Sequence, residues 1–356
     1  MTRKIKVLIV DDSALIRKLM TQILNSDQSI EVIGAAVDAY DARDKIKQLN
    51  PDVLTLDVEM PKMDGVTFLG NLMRLRPMPV VMVSTLTTQG ADLTLRALEL
   101  GAVDFVSKPV VDVDTRLEDC AEEIITKVKT AAAASVNAIS RIAGHKSKIA
   151  PVEAKFGASG NALNFNTTHK IIAIGSSTGG TEALRDVLEP MTPDCPGIVI
   201  SQHIPPLFSR SFAERMNKVS RLRIMEAEEG QQILPGHAYI APGGQHLEVI
   251  RDGARFRCRL HEGDPVNKHR PSVDVLFDSV AQNVGKNAVG VIMTGMGKDG
   301  AAGMKRMREA GAKNIAQNQD TCVVWGMPKA AVSEGGVNEE VPLNHLANKI
   351  VEYALG

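Results

Sequence analysis

Cysteine is scarce in this sequence. Its four copies, Cys120, Cys195, Cys258 and Cys322, lie far apart and form no C-x-x-C pair. That excludes a disulfide scaffold and points to reduced thiols acting as small hydrophobes in a cytosol. Charge of one sign is also missing: 41 Lys and Arg against 42 Asp and Glu leave a formal net charge of −1. There is thus no global electrostatic case for a nucleic-acid partner. Long apolar runs are absent too. The first twenty residues hold only VLIV before Asp11 and Asp12, which is no signal peptide. No later run approaches the ~20 apolar residues of a membrane span. The expectation is a soluble, cytoplasmic protein with no membrane insertion. No internal repeat or low-complexity tract stands out. What is present suits ordinary globular cores, with 44% hydrophobic and 23% charged residues. A length of 356 residues suggests about two domains.

The first domain is expected over 1–125. Short apolar runs at 6–10, 30–35, 53–57, 80–84 and 103–106 read as strands. Between them, 13–25, 39–49, 65–76 and 88–100 carry apolar residues at helical spacing. Five strands alternating with helices mean a parallel, doubly wound α/β sheet, whose ligands sit beyond the carboxyl ends of the strands. Asp11 and Asp12 follow the first strand, Asp57 ends the third, Ser84 ends the fourth, and Lys108 follows the fifth. Converging carboxylates would repel one another without a hard, oxygen-ligated cation such as Mg²⁺ at Asp11, Asp12 and Asp57. Asp57 can then act as nucleophile toward a phosphoryl donor, with Lys108 stabilising the transferring oxygens and Ser84 bonding the product. Any one of these residues alone could be a turn, a cap or a solvated side chain. Together, in VLIVDDS, TLDVEMPKMDG, VSTLT and DFVSKP, they resemble the flavodoxin-like receiver domain of bacterial response regulators. The resemblance implies phosphorylation of Asp57 by a histidine kinase. It also implies a relay through Ser84 and the switch residue Phe105, although Phe105 reads equally well as plain core.

Residues 126–168 are expected to link the domains. An Ala-rich helical pattern continues to about Gly144, and 145–168 reads as a flexible or partly helical tether. Its few lysines read as solubilising.

The second domain is expected over 169–356 and is organised around KIIAIGSSTGGTEALRDVLEPM. A buried strand runs into Gly175-Ser176-Ser177-Thr178-Gly179, which fits the G-x-S-x-G elbow, and then into a helix from about Thr181. A serine on a sharp strand-to-helix turn stands clear of its neighbours, near helix N–H groups suited to an oxyanion. Ser177, with glycine two residues away on both sides, is the candidate nucleophile and Ser176 its rival. A phosphate-binding turn lacks the required glycine spacing. A plain βα connection remains an alternative on the turn alone. GIVISQH at 197–203 ends in His203, and AVGVIMTG at 288–295 is followed by Asp299. Serine, histidine and aspartate thus come after separate strands of one α/β unit, the Ser–His–Asp constellation recognised by geometry and role. The turn at 295–297 could bring the Met296 N–H to the oxyanion. Asp299 could instead be only a helix N-cap, and His203 only a strand-end histidine. His246, in a hairpin-like region at 238–260, and His261, at its end, are weaker candidate bases. PVNKHRPSVD at 265–274 reads as a loop that could line a substrate groove. Residues 319–328 read as a strand-like run and a helix, with Trp325 in the core or on a pocket wall.

IAIGSSTGGTEALR, ISQHIPP, YIAPGGQHL, HRPSVD and TGMGKDGAAGM, placed after a receiver-like domain, resemble the two-domain chemotaxis protein-glutamate methylesterases, CheB. Many members carry Ala where this chain has Ser176. The resemblance implies a doubly wound α/β methylesterase domain with an antiparallel hairpin and a triad of Ser177, His203 and Asp299, with no cofactor in that domain. It implies hydrolysis of glutamate γ-methyl esters on chemoreceptors with release of methanol, and deamidation of particular receptor glutamines. It further implies that phosphorylation of Asp57 relieves masking of the esterase site. A DNA-binding response regulator would need a basic helix-turn-helix output instead of this second α/β domain. A non-catalytic scaffold would keep the elbow only as structure.

Overall fold

The computed structural model describes residues 3–85, 87–109, 114–144 and 169–355; the tether read at 145–168 lies outside the described residues. The chain divides into two compact units, Met1–Lys146 and Ser147–Gly356.

The first unit runs β1 (Ile5–Val10), α1 (Ala14–Asn25), β2 (Ile30–Ala36), α2 (Ala39–Leu49), β3 (Val53–Asp57), α3 (Gly65–Leu75) and β4 (Val80–Ser84). It continues through α4 (Thr88–Glu99), β5 (Asp104–Ser107), α5 (Asp114–Ala132) and α6 (Val136–Gly144). The strands pair in parallel in the order β2-β1-β3-β4-β5. Val7, Leu8, Val53, Leu54, Val80 and Val81 are fully buried. A parallel sheet covered on both faces needs such strands, which is why they read as unbroken apolar runs. Helix starts are set locally: Ser13, Asp38 and Asp64 accept backbone N–H groups at the heads of α1, α2 and α3. The Ala-rich pattern read as one helix is two. Ser135 breaks it by accepting the Ala138 N–H at 3.3 Å as the cap of α6, whose Ala138 and Ile139 are then buried, and α6 packs against α3.

The second unit runs β6 (Ile171–Ser176), α7 (Gly180–Leu188), β7 (Gly197–Gln202), α8 (Phe208–Val219), β8 (Arg223–Glu226), β9 (His237–Ile240), β10 (His246–Asp252) and β11 (Arg255–His261). Then come α9 (Val273–Asn283), β12 (Ala288–Ile292), α10 (Ala301–Glu309), β13 (Lys313–Gln317), α11 (Met327–Ser333), β14 (Glu339–Val341) and α12 (Leu343–Leu355). Seven strands form a parallel sheet in the order β14-β13-β12-β6-β7-β9-β8. Among the described strands, only β10 and β11 pair antiparallel, as a separate hairpin. The segment around Tyr239, read as hairpin, is therefore a sheet strand; Pro242 and the glycines after it end that strand before the hairpin begins. The strand-like run read at 319–328 is instead a short 3₁₀ turn at Gln319–Thr321 and a single bridge between Gly295 and Trp325. The strand there is β13, masked in the sequence by polar residues. Asn314 and Gln317 are buried because their amides serve backbone: Asn314 donates to the Met304 and Gly336 carbonyls, and Gln317 accepts the Thr294 N–H. Among the described residues, no helix is long and apolar enough to cross a membrane.

Candidate functional site

Strands β7, β6 and β12 are neighbours, and register brings Gly175 opposite Ile292 and Ser176 opposite Gln202. The chain leaves all three strands at one level, so the loops leaving them converge at the carboxyl edge. Past β6 stands Ser177, half-buried. Its N–H donates to the Thr294 carbonyl at 3.0 Å, which ties the serine turn to the turn after β12. The turn fits the elbow spacing but not the strained backbone of that class: among the described residues, Ser177 is not one of those with positive φ, and the left-handed step falls on Gly179 at φ 75°. A side chain at Gly179 would also meet Val323 within 2.7 Å.

Past β7, the His203 N–H donates to the Ser176 carbonyl and fixes the start of the loop. The ring lies with Nδ1 3.1 Å from Ser177 Oγ and Nε2 2.8 Å from Asp299 Oδ2. This is the required serine–imidazole–carboxylate chain, with the two ring nitrogens exchanged relative to the usual assignment. The hydroxyl donates to Nδ1, and the Nε2–H donates to the carboxylate, so Asp299 sets the tautomer.

Asp299 is 1% exposed and does not cap its own helix; Gly300, at φ 87°, stands at that position of α10. Its carboxylate instead heads α9. It accepts the Val273 N–H at 2.7 Å, the Asp274 N–H at 3.2 Å, the Ser272 hydroxyl at 2.7 Å and the Asn267 amide at 2.8 Å. Burial alone would raise its pKa, but the His203 contact and these donors hold it well below the usual carboxylate range. Asp299 is therefore not the cap of the helix that follows it; its carboxylate both caps α9 and lies against His203 Nε2.

Ser176 is fully buried, and its hydroxyl donates to Gln202 Oε1 at 2.6 Å. The Gln202 amide in turn donates to the Ser177 and His203 carbonyls, so Ser176 braces the two loops from beneath. The turn holding Met296 lies against Ser177, since a Cβ added at Gly295 would fall 2.7 Å from Ser177 Cβ. Met293, Met304 and Met307 are core, and Trp325 is half-buried.

The rival histidines stand elsewhere. His246 is buried, accepts the Ser272 N–H at Nδ1 and donates from Nε2 to the Asp264 carbonyl. His261 packs tilted against it and faces Glu248. Burial lowers the His246 pKa below 6.5. A folded-state pKa below the unfolded value costs stability as pH falls through 6.5 toward the folded value. Melting followed by Trp325 fluorescence should therefore shift down between pH 7 and 5.5, and His246→Gln should flatten that slope; an equal slope in both proteins would refute it.

Sequence reasoning assigns no role to His269. Its ring stacks on His203 with centroids 3.6 Å apart and planes 18° from parallel. A histidine inside a polar, Pro-containing loop carries no periodic signal that could single it out.

The first unit gathers its own cluster at the carboxyl ends of β1, β3 and β5. Ligand atoms of Asp11, Asp12 and Asp57 lie within 4.8 Å of one another. Lys108 Nζ is 2.7 Å from Asp57 Oδ2 and 3.6 Å from Asp11 Oδ2. Burial, with the Asp11 charge adding to it, pushes the Asp57 carboxyl up to about 6 against the pull of Lys108. Asp11 Oδ2 is buried without a hydrogen-bond partner among the described residues, so the pocket has an oxygen ligand to spare. Ser84 ends β4, and its hydroxyl donates to the Thr85 carbonyl at 3.2 Å. Phe105 is buried, with the Lys127 ammonium 5.0 Å from its ring centre.

Residues 172–350 match the family described as CheB methylesterase, and residues 7–118 match the response regulator receiver domain. A protein-glutamate methylesterase/protein-glutamine glutaminase of Xanthomonas euvesicatoria is 58% identical, over 98% of this chain and 96% of its own length. One of the same name from Salmonella typhimurium is 56% identical, again over 98% and 96%. The Thermotoga maritima CheB methylesterase catalytic domain, 38% identical, covers 51% of this chain and 97% of its own with a TM-score of 0.51.

Proposed function

This chain belongs to the CheB methylesterase family and carries a response regulator receiver domain ahead of the catalytic one; from that premise we propose that it is a phosphorylation-activated protein-glutamate methylesterase and protein-glutamine glutaminase acting on chemoreceptors. The observation that carries the reading is the unbroken chain Ser177 Oγ to His203 Nδ1 and His203 Nε2 to Asp299 Oδ2, at 3.1 and 2.8 Å. His203 Nδ1 takes the Ser177 proton as Oγ attacks the γ-carbonyl carbon of a methylated glutamate. The imidazolium forms against the Asp299 carboxylate. The Met296 N–H, in the turn beside Ser177, serves the oxyanion. His203 returns the proton to the departing methoxide, and methanol leaves. Water, deprotonated by the same nitrogen, then attacks the Ser177 ester carbonyl, and His203 returns that proton to Ser177 Oγ as the ester bond breaks and the glutamate is freed. A glutamine takes the same path with ammonia as leaving group, so one site serves both reactions.

In the receiver, Asp57 is the phosphoryl acceptor and a histidine kinase the donor. Asp11, Asp12 and Asp57 would hold Mg²⁺, which supplies positive charge to the transferring oxygens. Lys108 would neutralise the phosphoryl group, Ser84 would bond it, and Phe105 would answer the change at β5.

The test is methanol release from membranes bearing methyl-labelled receptors. Release by the full chain is expected to rise several-fold with a small phosphodonor plus Mg²⁺, and Asp57→Asn is expected to abolish that rise. No release under any condition would overturn the proposal in favour of a scaffold.

A further inference from the structure

The loop between β11 and α9 touches two members of the triad. Val266 and His269 exchange backbone hydrogen bonds at 3.1 and 2.9 Å across a tight turn. Its central residues, Asn267 and Lys268, both have positive φ, 52° and 67°. Two left-handed residues in succession are the signature of a type I′ turn, which Asn adopts readily and Lys does not. Asn267 uses its amide to bridge Asp274 Oδ2 and Asp299 Oδ1, at 2.7 and 2.8 Å. His269, at the end of the turn, lies flat on His203. The two ring nitrogens of His203 are spent on Ser177 and Asp299, so its edges are fixed. What those bonds leave free is tilt of the ring out of their common plane, and the His269 face opposes that motion.

We propose that His269 is a positioning residue for the hydrolysis, its imidazole face holding the His203 ring in the plane where Nδ1 meets Ser177 and Nε2 meets Asp299. The inference rests on the methylesterase reading. The stacked ring touches no reacting atom. It shields one face of the base from water, and it lies under the positive charge that His203 acquires in the transition state. A flat aromatic face is what the role demands; the hydrogen-bonding capacity of His269 is not.

The experiment compares His269→Ala, His269→Gln and His269→Phe in the full chain, on methyl-labelled receptor membranes over a range of concentrations. Ala and Gln are expected to lower kcat by about ten- to hundred-fold with KM within about twofold of the parent, as for a misplaced catalytic group. Phe, which restores the face alone, is expected to return kcat to within about threefold of the parent. The downfield proton resonance of the His203–Asp299 hydrogen bond should persist in parent and Phe proteins and broaden in the Ala and Gln proteins. Circular dichroism identifies any variant that fails to fold, in which case the remaining pair decides. Gln as active as the parent, or Phe as weak as Ala, would overturn the proposal. Parent activity together with loss in Ser177→Ala keeps the methylesterase reading intact whatever the His269 variants do; an inactive parent would sink that reading first.

Discussion

Ser177→Ala is expected to reduce methanol release about a million-fold, in practice below detection, because removing a triad nucleophile costs nearly as much as removing the whole triad. The loss should be chemical and not conformational. The substitution leaves the Ser177 N–H bond to Thr294 and the Gln202 bond to the Ser177 carbonyl untouched. The phosphorylation proposed for Asp57 is expected to persist in the same variant and serves as an internal control, since Asp57 belongs to the other unit. Ser176→Ala gives the opposite pattern. Its hydroxyl is buried against Gln202, so its removal should cost about 1 kcal/mol of stability and modest activity. Full activity in Ser177→Ala would refute the assignment of the nucleophile.

Asp299 carries the second large effect, and it acts on rate and stability together. Asp299→Asn should lower kcat about ten-thousand-fold, because an amide NH2 turned toward Nε2 donates where the carboxylate accepted and imposes the unproductive tautomer. Asp299→Ala should in addition destabilise the second unit by about 3 kcal/mol, since it strips acceptors from the Val273 and Asp274 N–H groups at the head of α9. The pH dependence comes from the sign of the shift. Its folded-state pKa lies below the ordinary 3.8, so its stabilisation is complete above 3.8 and fades as pH falls through the folded value. The stability gap between parent and Asp299→Ala should therefore close in strong acid. A gap that stays constant down to pH 2, measured by Trp325 fluorescence, would show that the carboxylate contributes nothing to α9.

Much of this is legible in the sequence because strand ends are punctuated. Asp11, Asp57 and Lys108 stand at the ends of apolar runs, and so do Ser177 and His203; in a parallel sheet that is enough to bring each group to one edge. Asp299 is reached by the same rule, yet its cap role falls on the wrong helix. A carboxylate before DGAAGM looks like the start of α10, and only the fold brings α9 within reach. β13 escapes because buried amides at Asn314 and Gln317 imitate a surface, and β14 because its three residues include two exposed glutamates. His269 escapes because a ring stack depends on a left-handed turn, and nothing in Asn267-Lys268 advertises one. Phe105 shows a further limit: its burial agrees with both plain core and a switch.

The double duty of Asp299 bears on how distant relatives should be read. A descendant that abandons hydrolysis is released from any need for the serine, and that position can drift at once. The aspartate cannot drift with it, because a helix still hangs from it. Among degenerate copies of this domain, an aspartate retained here is therefore poor testimony of surviving chemistry, and the missing serine is the informative loss.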